Sequence, residues 1–216
     1  MLSTLFLLSC GTMNSARPLE QGEHVVGATF GGAIVDAGFT TIPLPNLVVE
    51  GRSGLSPVLE RPFDVNYGLN VTGLPFGLIG LHGGVSWLAM EQRGGAPALS
   101  LSNRLYLYDN HLDFRKTDRA LWAVDQLELL ASWDTRRALL YVGGAEYLDL
   151  TNPGLLLSPV AGAELHLGQR WGLQIEGRHY AINQNKEPLN TLQWVTWGPG
   201  SLGATLGVSR SLGEAP

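Results

Sequence analysis

Only one cysteine, Cys10, occurs in the 216 residues, so the chain cannot form an internal disulfide. Charged residues make up 15% of the chain, well below the usual share of a soluble domain. No uninterrupted apolar run reaches the roughly 18 residues that a membrane-spanning helix needs. The net charge is −5 and there is no basic stripe, which argues against a nucleic-acid partner. A Walker loop, a dinucleotide fingerprint and a zinc-type spacing are all missing, so no cofactor and no metal site is expected. Low charge without a spanning helix leaves two common architectures. One is a soluble β-sandwich or β-barrel. The other is a membrane β-barrel, whose apolar residues are spread singly along its strands.

What the chain does have is glycine, 28 residues of it, and a pervasive period of two. Glycine inside strands suits a sharply curved sheet or a crowded interior. In Trp171–Ile182, Trp171, Leu173 and Ile175 fall on one face and Gln174, Glu176 and Arg178 on the other. Phe63, Val65, Tyr67, Leu69 and Val71 likewise oppose Asp64, Asn66, Gly68 and Asn70. The pattern predicts about ten strands. They run over Glu23–Val35, Asn46–Gly54, Pro62–Thr72, Gly77–Met90, Ala96–Tyr108, Ala120–Asp134, Ala138–Leu148, Leu155–Leu167, Trp171–Ile182 and Ser201–Leu212. Turns are expected at Arg136-Arg137, Asn152-Pro153-Gly154 and Gly168-Gln169-Arg170, and long connections at Phe39–Pro45, Asn110–Arg119 and Asn183–Gly200. The expected fold is all-β: a closed, antiparallel, up-and-down transmembrane barrel. Eight strands, or a soluble barrel, are the alternatives.

Alternation alone does not say which face is inside. Three features favour a polar interior. The polar face is rich in Gly, Ser, Thr, Asn and Gln. Charges recur at mid-strand: Glu50, Arg52, Arg104, Glu128, Glu146, Glu164, Glu176 and Arg178. Trp87, Tyr106, Tyr108, Trp122, Trp133, Tyr147 and Trp171 stand near strand ends, as in an aromatic girdle at the headgroup level.

The N-terminus, "MLSTLFLLSCGT", carries a short apolar run followed by Leu7-Leu8-Ser9-Cys10. This resembles a bacterial lipobox, where a small residue precedes a cysteine that takes the lipid. Residues 1–9 are then a signal peptide, 10–22 a lipidated tether, 23–213 the barrel and 214–216 a tail. No Lys or Arg precedes the apolar run, which predicts a translation start further upstream. Gly11, in place of an aspartate, fits sorting to the outer membrane.

The segments "CGTMNSARPLEQGEHVVGATFGG" and "PLPNLVVEGRSGLS", with the Gly-rich strands after them, resemble small outer-membrane β-barrel proteins of Gram-negative bacteria. Lipidated ones from myxobacteria and their relatives are included. The resemblance implies a barrel in the outer membrane, lipid-anchored at Cys10, with outer-membrane lipid as its surroundings. The last strand departs from the pattern, closing on Arg210-Ser211-Leu212 rather than on an aromatic residue.

The eight mid-strand charges predict an internal salt-bridge network that fills the lumen, since enclosed charges need partners. A narrow pore for ions or small solutes is the second reading, and a lipid-modifying enzyme the third. His82 with Ser86, His166 with Glu164 and His179 with Ser209 are the pairings an enzyme would draw on, and none stands in a motif. Asp109, His111 and Asp113 give only a weak metal hint. The loop around Trp194 and Trp197 is a place for an envelope protein partner, or a cap on the barrel mouth.

Overall fold

The computed structural model describes residues 16–36, 38, 40–43, 46–71, 78–110, 121–150, 154–184 and 193–213. Their regular elements are strands: β1 (His24–Asp36), β2 (Thr41–Pro43), β3 (Leu47–Val58), β4 (Arg61–Asn70), β5 (Leu78–Met90), β6 (Ala98–Asn110), β7 (Leu121–Asp134), β8 (Ala138–Asp149), β9 (Leu155–Leu167), β10 (Trp171–Tyr180), β11 (Gln193–Trp194) and β12 (Ser201–Ser211). Ten of them close into a barrel. Antiparallel pairing runs from β1 through β3 to β10 in order, then to β12, which pairs back onto β1. The short β2 and β11 pair with the last residues of β1. The ten expected strands are therefore the ten staves, and the eight-strand alternative is set aside.

Following the register once round the barrel returns to β1 about twelve residues further along. With ten strands, that stagger tilts each one by roughly 40° to the axis. Each residue then climbs about 2.5 Å, so a twelve-residue strand rises roughly 30 Å.

The two rims differ. The tight-turn rim carries connections 59–60, 91–97, 135–137 and 168–170. The loop rim carries 37–46, 71–77, 111–120, 150–154 and 181–200. The turn around Asn152 therefore belongs to the loop rim as its shortest connection, which is why the three short turns do not alternate simply in sequence. One turn was not visible beforehand. β3 continues past Gly54 to Val58, with its register shifting between Leu55 and Val58. It turns through Leu59 and Glu60, both at positive φ (53° and 61°). Such a turn normally advertises itself with Asn or Gly, and here neither is present.

The faces are inverted relative to a soluble barrel. Outward-pointing Leu129, Ile175 and Leu206 are 53%, 49% and 54% exposed, whereas inward-pointing Arg104 and Glu128 are each 1% exposed. Around the tight-turn rim the outward face carries Phe63, Trp87, Trp133 and Trp171. Trp87 Nε1 donates to the Val58 carbonyl and Trp133 Nε1 to the Gly95 carbonyl, both at 3.1 Å, and Arg210 lies over the Trp171 ring. Tyr106, Tyr108 and Tyr147 correct the sequence reading: all three point inward and are buried. Trp122 packs partly buried against the same inner cluster. A tyrosine suits either place, because its ring is apolar and its hydroxyl needs one partner.

Candidate functional site

The lumen is the place where polar chemistry is concentrated. Its centre is a belt of charge. Arg178 Nη2 sits 3.1 Å from both Glu128 Oε1 and Glu176 Oε1. Its Nη1 donates to the Tyr147 hydroxyl, and the group lies 5.7 Å and 5.8 Å from the Tyr147 and Tyr180 ring centres. Arg104, 1% exposed, lies in the same belt with Tyr106, Glu50 and Glu128 as its electrostatic partners. His82 Nε2 lies 3.6 Å from Glu50 Oε2. These groups come from β3, β5, β6, β7 and β10, so the belt ties opposite walls together. Each ion is enclosed, and an enclosed ion is costly unless it is paired.

Towards the loop rim the belt is roofed by tyrosine. Tyr106 donates to Gln126 Oε1 at 2.6 Å, and the Tyr106 and Tyr108 rings stack at 6.5 Å. Tyr108 has its place because Gly80 opposite has no side chain: a Cβ there would come within 2.6 Å of the ring. Towards the tight-turn rim, Arg52 Nη2 meets Asp64 Oδ2 at 2.5 Å. Tyr141 donates to Glu176 Oε2 at 2.9 Å and accepts from Gln174 at 2.5 Å.

Below these the chain itself enters the mouth. Residues 16–22, from the segment read as a tether, form a strap across the tight-turn end. The Ala16 carbonyl accepts from Ser100 and Ser132, at 3.1 Å and 3.3 Å. The Arg17 carbonyl accepts from Arg52 at 2.7 Å, and the Leu19 amide donates to Asp64 at 2.9 Å. Arg17 reaches Gln92 at 2.5 Å and Asp134 at 3.5 Å. The Arg52–Asp64 pair thus serves as the strap's anchor point, and both its members bind strap backbone. The strap lies flat over Gly54, where any Cβ would strike the Glu20 carbonyl.

Of the eight charges expected in the lumen, Glu50, Arg52, Arg104, Glu128, Glu176 and Arg178 are buried there. Glu164 points inward but stands half-buried at the tight-turn rim, over Gly172 and outside the belt. Glu146 corrects the reading: it is exposed on the outer face, because its neighbours Ala145 and Tyr147 take the inward positions. Asp64, His82, Tyr141 and Gln174 complete the network; none was expected in it, and His82 had been singled out only for a pairing with Ser86. The alternation against Phe63 already put Asp64 on the inner face, and only its place near a strand end hid its role.

The histidine pairings are not brought together. His82 and Ser86 both face the lumen but lie four residues apart on one strand, roughly 13 Å. His179 faces outward, bonded to the Pro199 carbonyl at 2.9 Å, while Ser209 faces inward. His166 is exposed at the tight-turn rim beside Glu164. Trp194 packs on Ala33 and Tyr180 at the loop rim, and Trp197 is 86% exposed. Cys10, His111 and Asp113 lie outside the described residues.

No protein-family model matches the chain, and no curated protein matches it in sequence. The solved structure of Ail, the attachment invasion locus protein of Yersinia pestis, aligns with 89% of this chain and 99% of its own, at 9% identity and a TM-score of 0.28. The closure of the barrel and the direction of its faces follow from this chain's own pairing and burial.

Proposed function

We propose that this chain is a bacterial outer-membrane β-barrel with a lumen sealed by its own side chains, and that it serves as a structural or partner-binding element of the cell envelope. The observation that carries the reading is the inversion of the barrel: Arg104 and Glu128 inside, Leu129, Ile175 and Leu206 outside. Water-soluble barrels hide their apolar face, and membrane barrels display it to lipid. The outward Trp residues at one rim and the division into tight turns and longer loops support the same orientation. The tight-turn rim then faces the periplasm, and a lipid on Cys10 tethers the chain to that side. In this reading the protein is not an enzyme, and its loops and outer wall are its means of contact.

Vesicle flotation tests the membrane reading: the refolded protein is expected to float with lipid and to resist carbonate extraction. A soluble monomer without detergent overturns it. Radiolabelled palmitate tests the anchor, with label expected in the full-length precursor and lost in Cys10→Ala. Lipid A from cells with and without the protein is expected to have the same mass; a difference overturns the non-enzymatic reading.

A gated pore is the second reading. Its support is the strap, whose residues 16–20 are held largely by side chains rather than by a strand ladder. Planar-bilayer recordings separate the two readings. Silence before and after deletion of residues 16–22 favours the sealed barrel, and channel steps only after deletion favour the gated pore.

A further inference from the structure

The tight-turn rim is unevenly charged. Five arginines among the described residues are exposed, Arg93, Arg136, Arg137, Arg170 and Arg210, and all five stand at this rim. Arg93 shares its turn with Glu91. The other four fall on one arc. Arg136 and Arg137 lie in the β7–β8 turn, Arg170 ends the β9–β10 turn, and Arg210 stands at the end of β12. Backbone bonds hold these ends side by side. The His166 amide donates to the Arg137 carbonyl at 3.0 Å, and the Ser211 amide to the Arg170 carbonyl at 2.8 Å. From β8 through β9 and β10 to β12 is three strand spacings, roughly 14 Å of rim.

Elsewhere on the rim, arginines have carboxylates. Arg61 pairs with Glu91, and Arg17 with Asp134 at 3.5 Å. Among the described residues no carboxylate pairs with Arg136, Arg137, Arg170 or Arg210. Glu164, on the same arc, points inward over Gly172 and leaves the outside uncompensated. The arc also reaches the outer wall. Arg210 and Trp171 are register partners that both point outward, with the guanidinium 5.4 Å from the ring centre. Trp133 stands outward at the end of β7. Beyond them the outer face presents Leu140, Leu165, Ile175 and Leu206, all exposed. A soluble acidic partner would need only the turns. Arg210 on the wall itself, with tryptophan beside it and apolar side chains beyond, fits a ligand with an anionic head and apolar tails. A guanidinium matches the oxygens of a phosphate, two bonds at a time.

We infer that the rim between β7 and β12 is a binding site for the phosphate headgroups of anionic phospholipids, in the leaflet that this rim meets. Arg136, Arg137, Arg170 and Arg210 hold the phosphates, Trp133 and Trp171 flank them, and the tails lie along the apolar wall. The inference rests on the membrane reading above and gives the barrel a preferred lipid on one side.

The test uses the Cys10→Ala barrel in phosphatidylcholine vesicles with a minor share of phosphatidylglycerol. A fluorophore is carried on Gln169→Cys, within the arc, or on Leu59→Cys, on the far side of the ring, where Leu59 is 78% exposed. A doxyl quencher sits high on an acyl chain of one lipid or the other, in equal amounts. Quenching beside Gln169 is expected to show phosphatidylglycerol enriched roughly fivefold, the scale of a favourable charge contact at a membrane surface. Beside Leu59 the enrichment is expected to stay under about twofold, because the unpaired cations are absent there. Changing the four arginines to glutamine is expected to bring Gln169 down to the Leu59 level; all four are exposed, so the fold is retained. An enrichment that survives those changes, or that is as large at Leu59, overturns the inference. The two claims fail differently. Equal quenching by both lipids at Gln169 refutes the headgroup site alone, and quenching by neither refutes the membrane reading and the site together.

Discussion

Replacing Arg178 with methionine leaves Glu128 and Glu176 without the cation they share at 3.1 Å. It also removes the donor to Tyr147 and the contact with two tyrosine rings. Methionine fills much of the arginine's volume, so the loss is electrostatic more than steric. Breaking an enclosed ion pair on one side costs about 3–5 kcal/mol, because a charge is left behind. The same pair bathed in water is worth about 0.2–1 kcal/mol. The experiment therefore reads whether the lumen is dry. Urea titration of the barrel refolded in vesicles, followed by circular dichroism and by gel mobility, gives the difference. Adding Glu176→Gln to Arg178→Met removes the stranded charge, while Glu128 still faces Arg104, and is expected to recover about 2 kcal/mol. That double variant also serves if the single one does not refold. A single-variant cost under about 1 kcal/mol, with no recovery in the double, refutes the paired, water-poor lumen.

Three further outcomes are expected. With Cys10→Ala as background, a cysteine at Ala16 is expected to resist maleimide, since Ala16 is 2% exposed; Asp64→Ala should raise its labelling about tenfold by releasing the Leu19 amide. Gly54→Val should free the strap in the same assay by striking the Glu20 carbonyl, whereas Gly144→Ala, with open space around it, should change stability by less than about 0.5 kcal/mol. Brominated lipids should quench Trp133 and Trp171 more strongly when the bromine sits near the headgroup than at the chain end, and the reverse order would remove the girdle.

The barrel was legible because a strand with one lipid-like and one polar face repeats its period without ambiguity. Trp171–Tyr180 is the plain case: its alternation placed Gln174, Glu176 and Arg178 inside. Legibility failed where small residues blur the period. Across Gly143-Gly144-Ala145 either parity is tolerable, so Glu146 and Tyr147 compete for the inward position, and the larger ring with a hydroxyl that a guanidinium can reach takes it. The turn at Leu59-Glu60 was hidden because its backbone conformation runs against the preference of its residues. The strap was invisible for another reason. Apart from the Arg17 side chain, it is held through its backbone carbonyls and amides, and sequence does not mark a backbone group that a distant side chain will seek out.

The strap has a consequence for the order of events in folding. Its partners Asp64, Ser100 and Ser132 belong to β4, β6 and β7, which span four consecutive strands of the ring. In a flat sheet Asp64 stands about three strand spacings, roughly 14 Å, from Ser132, and curling brings them together around the strap. Seating it is therefore a late step, taken as the sheet curls. Bonds made after the rate-limiting barrier leave the folding rate alone and slow unfolding instead. The segment closest to the proposed lipid anchor thus acts as a latch on the finished barrel, set from the side on which the chain begins.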